Sequence, residues 1–217
     1  MSKNAWDKIW GRASEDALWS LPDPDVEALI PRLREEGVVR VLDLGCGMGR
    51  HTVLFAAAGF ETYATDASEQ GIERCRAWLD AERLDATTTL SPMRTIDYPD
   101  GFFDFAISWN VVYHAMRADL AATLAEVHRV LRPNGLLYLT LNSTRNNKFA
   151  VGAETEPGTF DDPARGQGHH LHHYSDRADA EDLLAAWQVE TMEEAEEWLG
   201  GKVRSGTWHW MILARKA

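Results

Sequence analysis

The sequence predicts an α/β fold: a doubly wound, mostly parallel sheet with helices on both faces and one antiparallel strand from a C-terminal hairpin. Three observations carry that prediction. Short β-branched or apolar runs alternate with helical periodicities along the first two thirds of the chain. The first such run ends in a glycine-rich turn that opens a helix. Two late strand runs, near 189–195 and 207–215, follow each other with no helix between them, as a closing hairpin does.

Each element has its own signal. Trp6 and Trp10, at i and i+4, share one face of a short helix in an otherwise polar N-terminal stretch. After Pro22 and Pro24, the spacing of Val26, Leu29, Ile30 and Leu33 predicts a helix over 25–35, with a kink or restart at Pro31. Residues 38–42 read as the first strand, 50–58 as a helix closed by Gly59, and 60–65 as the second strand. Ser68 caps the next helix. A weaker third strand falls at 86–91. Pro99-Asp100-Gly101 turns the chain into an apolar strand over 102–109. Leu120, Leu124, Val127 and Leu131 predict a helix over 118–131, and Pro133-Asn134-Gly135 turns it into a strand over 136–141. Residues 142–171, rich in Asn, Gly, Asp and Pro, read as a long loop with a functional role, and 176–187 as a helix. The expected division is a single domain over 1–217: a helical cap (1–36), a core (37–141), a substrate-side loop (142–175), and a closing helix and strands (176–217).

Composition narrows the function. The 217 residues suit one domain with a full core. A formal net charge of −12, with no Lys/Arg run, argues against a nucleic-acid partner. Two cysteines build no disulfide framework, no apolar stretch approaches the ~20 residues of a membrane span, and residues 1–10 lack the apolar centre of a leader. The expectation is a soluble cytoplasmic protein, monomer or homodimer, without a membrane partner.

The strongest motif is Val41-Leu42-Asp43-Leu44-Gly45-Cys46-Gly47-Met48-Gly49-Arg50, an apolar strand and an acid followed by Gly-x-Gly-x-Gly and a helix. Glycine permits backbone angles and close approaches that a Cβ forbids, and at the carboxyl end of a central strand this opens a crevice for a nucleotide-like ligand. A dinucleotide fingerprint would carry its third glycine or an alanine where Arg50 stands, which weakens a nicotinamide reading. Asp66, at the end of the second strand, is placed to accept hydrogen bonds from ribose hydroxyls, or else to serve as a helix-start acid.

The glycine loop, Asp66, Tyr98-Pro99-Asp100-Gly101-Phe102-Phe103-Asp104 and Arg129-Val130-Leu131-Arg132-Pro133-Asn134-Gly135 resemble, in order and spacing over 38–141, the successive motifs of class I S-adenosylmethionine-dependent methyltransferases. The chain resembles small-molecule enzymes of the methyltransferase type 11 and tellurite-resistance kind. The resemblance implies a Rossmann-like sheet and S-adenosylmethionine as cofactor, with S-adenosylhomocysteine as product. It implies that Gly45, Cys46, Gly47 and Gly49 lie beneath the amino-acid part of the cofactor, that Asp43 reaches its amino group, and that Asp66 and Ala67 meet the ribose. Met93 and Arg94 would flank the adenine, and Trp109 would close the cofactor site. Many relatives carry an acid just before this adenine segment; here Ser91-Pro92 stands instead, which leaves the adenine amino group to backbone atoms.

Methyl transfer needs little from a protein beyond placing a nucleophile in line and excluding water. Trp109-Asn110-Val111-Val112-Tyr113-His114 follows the fourth strand, where such enzymes face the methyl group. Asn110 and Tyr113 have the Asn-x-x-Tyr spacing of amino-methylating nucleic-acid enzymes, but valines replace the two prolines. Asn110, Tyr113 and His114 are the catalytic candidates; His114 is either a general base or a histidine that caps and packs. His169-His170-Leu171-His172-His173 invites a metal reading, yet adjacent strand histidines point to opposite faces, so no metal is assigned. By resemblance to the His-His-aromatic stretch of the tellurite-resistance group, His172, His173 and Tyr174 are expected to line the substrate pocket. Trp10 is a lid candidate or an edge-packing residue, and Arg145 a carboxylate holder or an exposed loop residue. The glutamates of 193–197 read as solvated surface. The function expected is methyl transfer to a small-molecule acceptor. A cofactor-binding scaffold without turnover is the second reading, and a nicotinamide oxidoreductase the third.

Overall fold

The computed structural model describes residues 3–11, 19–162 and 171–217. Its strands are β1 (Arg40–Leu44), β2 (Glu61–Asp66), β3 (Thr87–Leu90), β4 (Phe103–Ser108), β5 (Leu131–Ser143), β6 (Ala153–Glu156), β7 (Thr159–Asp161), β8 (Leu171–Ser175), β9 (Trp187–Leu199) and β10 (Lys202–Lys216). Its helices are α1 (Lys3–Trp10), α2 (Pro24–Ala28), α3 (Ile30–Glu35), α4 (Arg50–Ala57), α5 (Glu69–Glu82), α6 (Arg117–Val130) and α7 (Arg177–Leu183). The central sheet runs β3-β2-β1-β4-β5 with every neighbour parallel. β10 then pairs antiparallel with β5, and β9 antiparallel with β10. This is the doubly wound Rossmann-like sheet with a C-terminal hairpin that the alternation predicts.

The period-two pattern of each strand shows why both faces need helices. Leu42, Leu44, Leu137, Leu139 and Ile212 point to one face and pack with Leu120, Leu124 and Val127 of α6 and Ala180 of α7. Val41, Phe105, Ile107, Leu136 and Leu213 point to the other and meet Val26, Leu33 and Phe55. The predicted break at Pro31 is a restart one residue earlier: α2 ends at the Leu29 cap and Pro31 sits in the first turn of α3, where a missing N–H leaves no orphan. Ser68 accepts from the Gly71 N–H as the N-cap of α5.

Three expectations change. Residues 142–171 are not one long loop: β6 and β7 form a hairpin, and β7 pairs antiparallel with β8, which joins β5 in parallel at Asn142 and Ser143. Composition hid this because the strands are short and partly polar. The hairpin strands are longer than predicted, since β9 and β10 extend past the sheet as a two-stranded ribbon with a shifted register between Val203 and Trp208. The Pro133-Asn134-Gly135 turn lies inside β5 as an irregularity between the Phe103 and Phe105 pairings, with Asn134 at φ 63°. Among the described residues no helix is long and apolar enough to cross a membrane.

Two of the recognised motifs prove architectural. Asp104 accepts from the backbone N–H groups of Val39 and Arg40 (2.9 and 2.7 Å) and from Arg132 Nε (2.6 Å), fastening the starts of β1, β4 and β5. Arg129 donates to the carbonyls of Ile96 and Tyr98 and to Asp100 and Glu126, closing the loop before β4. These charge-assisted bonds set the sheet edge opposite the glycine loop.

Candidate functional site

A cavity of about 790 Å³ lies at the carboxyl ends of β1 and β4, the point in a doubly wound sheet where the strand order reverses. Its floor is the glycine loop. Gly45, Gly47 and Gly49 take φ of 78°, 55° and 98°, which a side chain would strain. A Cβ on Gly45 would also meet the Val111 side chain, one on Gly47 the Trp10 ring, and one on Gly49 Cys75 Sγ. The first two glycines keep the floor open, and the third lets α4 pack on α5. Cys46 lines the floor, and a hydrogen bond with Cys75 together with burial raises its thiol well above its ordinary range, which disfavours the thiolate.

Asp66 accepts from the Gly47 and Ser68 N–H groups (2.8 and 2.7 Å) and still lines the cavity; burial raises its pKa. Asp43 accepts from Thr52 Oγ1 (2.6 Å), and burial pushes it up to about 6. Ala67, Met93 and Arg94 line the same end, with Arg94 paired to Asp119. Helix α1 covers this end: Asp7 accepts from Ser68 Oγ (2.6 Å), and Arg74 Nη1 donates to the Trp10 carbonyl (2.8 Å). Trp10 therefore sits as a wall on the loop.

At the other end lie Trp109, Asn110, Tyr113, His114, His172 and Tyr174. Asn110 takes φ 63°, and Thr140 Oγ1 both accepts from its N–H and donates to its Oδ1. That fixes the amide orientation, so its Nδ2 donates to Glu197 Oε1 (2.8 Å). Tyr113 Oη meets His209 Nε2 at 3.3 Å. The His114 ring stands edge-on to Trp6 and to His172, at 4.9 and 4.6 Å between centroids.

Not every candidate joins the cavity. Gly49 supports the loop from behind. His173 turns away, bonded to Thr159 Oγ1 (2.7 Å) and Asp179 (2.9 Å); alternate strand residues face opposite sides, so His172 lines the cavity and His173 ties β8 to α7. Arg145 pairs with Glu194 and stacks over Trp208 at 3.7 Å, outside the cavity wall. His169 and His170 lie outside the described residues, and among the described residues no cluster of His, Cys, Asp or Glu is arranged to hold a metal ion.

Sequence reasoning missed Arg50, Lys148, Glu197, Arg204 and His209, all of which line the cavity. Glu197 corrects the solvated-surface reading: it is 6% exposed, its carboxyl pKa raised by burial. Burial lowers His209 to about 3, so it stays a neutral imidazole. A histidine within the otherwise apolar end of β10 was the one available signal, since Glu197 is lost among the other glutamates of 193–197, and nothing in sequence says that the ribbon curls toward β4.

Residues 41–135 match the family described as a methyltransferase domain. Over these residues the chain is similar to class I methyltransferase domains. The ubiquinone biosynthesis O-methyltransferase of Bradyrhizobium diazoefficiens is 30% identical over 121 residues, 54% of this chain and 47% of that protein. The malonyl-acyl-carrier-protein O-methyltransferase of Pseudescherichia vulneris is 28% identical over 142 residues, 64% of this chain and 54% of that protein. The chain thus spans about half the length of the curated relatives it matches. The solved 1,6-didemethyltoxoflavin-N1-methyltransferase of Burkholderia thailandensis superposes with a TM-score of 0.72 at 18% identity, over 99% of this chain and 85% of that one, a likeness of fold.

Proposed function

We propose that this protein transfers the methyl group of S-adenosylmethionine to a small-molecule acceptor. The observation that supports this most is one continuous cavity running from the glycine loop and Asp66 to Asn110, Tyr113 and His114. Such a space suits two ligands meeting end to end. The residues present fit the cofactor. Gly45 and Gly47 admit the close approach of Val111 and Trp10 that shapes the loop end, and Trp10 keeps a buried Nε1 without a protein partner among the described residues.

S-adenosylmethionine supplies an activated methyl group on a sulfonium sulfur. Asp43 and the loop would hold its amino-acid end, Asp66 and Ala67 its ribose, and Met93 and Arg94 its adenine. Asn110, locked by Thr140 and Glu197, and the Tyr113–His114 pair would orient the acceptor in line with the methyl group. Trp6 and Trp10 on α1 exclude water from the reacting atoms. Small acceptors suit the enclosed end and the acidic chain.

Calorimetric titration with S-adenosylmethionine, S-adenosylhomocysteine and NADH, with Asp66→Ala as control, tests the reading. Micromolar binding of the first two, lost in the variant, is expected. Preference for NADH, or no binding of either sulfur compound, would sink it. Tight binding without release of S-adenosylhomocysteine on a broad acceptor panel would favour a scaffold role.

A further inference from the structure

The end of the cavity away from the glycine loop collects groups that the methyl-transfer reading leaves unused. Asn142 is 4% exposed, and its Nδ2, which can only donate, has no partner among the described residues. His209 is 2% exposed, and its buried Nδ1 has none either. When the Tyr113 hydroxyl donates to Nε2, the neutral ring carries its proton on Nδ1, giving a second buried donor. His209 and Asn142 are directly paired across β10 and β5, so the two groups are neighbours by register. Buried donors left unpaired are expensive, and they are retained where a ligand satisfies them.

The surrounding charge has one predominant sign. Lys148 and Arg204 line the cavity, and both act on His209 and on Glu197 as nearby positive charges, with Arg50 acting on Glu197 as well. Glu197 is the acid of this corner, and its oxygens already accept from Asn110 Nδ2 and Arg204 Nη1. The remaining wall is a set of rings: Tyr113 lies near-parallel to His172 and to His209, at 6.4 and 5.5 Å.

We infer that this corner is an anion site, built by Asn142, His209, Lys148 and Arg204, and that the methyl acceptor is a flat organic anion whose negatively charged oxygen it holds. The inference rests on the methyl-transfer reading for its occupant. Two orphan donors and two cations recognise a carboxylate, phenolate or enolate oxygen, while a protonated amine would meet like charge beside a Glu197 carboxylate already held by Asn110 and Arg204. Ring walls favour a planar body. An anion beside a sulfonium also brings opposite charges together in a low-dielectric space, where the attraction is strongest, and transfer to an ionised oxygen needs no base because no proton leaves.

Binding to the S-adenosylhomocysteine-saturated full chain tests this, with three probes of matched shape: 4-hydroxybenzoate, 4-hydroxybenzamide and 4-hydroxybenzylamine. The expected order is anion, then amide, then amine, with the anion at least about fivefold tighter than the amide and weakening as salt rises. The double variant Lys148→Gln/Arg204→Gln should erase that preference, and Asn142→Asp should abolish anion binding while the amide is retained. S-adenosylhomocysteine affinity, measured on each variant first, reports that the fold and the cofactor end are intact. An amide or amine bound as tightly as the anion overturns the inference, as does no binding of any probe to protein that does bind S-adenosylhomocysteine. Failure of S-adenosylhomocysteine itself to bind overturns the methyl-transfer reading first.

Discussion

The glycine-loop wall of the cavity comes from one short stretch, residues 43–67, in which a strand, a loop, a helix and the next strand follow each other directly. The opposite wall draws Asn110, Asn142, His172, Glu197 and His209 from five separate strands or strand ends. The first wall is local, so its geometry is written in turn chemistry and glycine positions. The second exists only once a hairpin and a small antiparallel insert have closed around β5. The two walls also differ in charge: buried carboxylates at Asp43 and Asp66 on one, against a neutral histidine and a single buried carboxylate, Glu197, with Lys148 and Arg204 nearby on the other.

That difference in charge should be visible as opposite responses to pH. His209 binds a proton near pH 3 when folded but near 6.5 when unfolded. The unfolded state therefore holds more protons across that interval, and the His209 contribution is lost as pH falls through it, by roughly 3 kcal/mol at pH 4. His209→Gln should lose less stability between pH 6.5 and 4 than the parent, read from denaturant midpoints.

Asp43 runs the other way. Its folded pKa is about 6, above the ordinary 3.8, so the folded state holds more protons between these values. Its contribution is present at low pH and lost as pH rises through 6, by roughly 2–3 kcal/mol. Asp43→Asn keeps an acceptor for Thr52 Oγ1 and should flatten that decline. A variant curve parallel to the parent's would mean that the carboxylate is solvated in a way that burial does not describe.

Within the glycine-loop wall, Asp66→Ala removes the acceptor for two backbone N–H groups and the expected ribose contact. An S-adenosylhomocysteine affinity about 30-fold weaker, roughly 2 kcal/mol, is expected by calorimetry. The smallest effect is expected outside both walls. Arg145→Ala loses an exposed pair with Glu194 and a ring stack, and should change stability by less than about 1 kcal/mol and cofactor affinity by less than about twofold. A larger loss of affinity would return Arg145 to the site.

The legibility of the site follows the same division. Asp43, Gly45, Gly47 and Asp66 were readable because strand, acid and glycine spacing report a turn whose backbone angles few residues adopt. Asn110 and Tyr113 were readable from spacing, but the Thr140 and Glu197 contacts that orient Asn110 were not. His172 and His173 show the limit: adjacency predicted that they face opposite sides, without saying which side is the cavity. Arg145 stayed open between a carboxylate holder and an exposed loop residue because its partner Glu194 comes from a strand 49 residues away.

The sequence by itself determined the doubly wound core and the glycine-loop floor, because hydrophobic period, caps and glycine conformations act over a few residues. Only the tertiary structure decided that Ala153–Glu156, Thr159–Asp161 and Leu171–Ser175 form short strands beside β5, that His173 and Arg145 belong to the scaffold, and that Glu197, Arg204 and His209 reach the cavity. Those outcomes depend on the register of β10 against β5 and on the curl of the ribbon past the sheet, and strand pairing at that separation leaves no periodic trace in the chain.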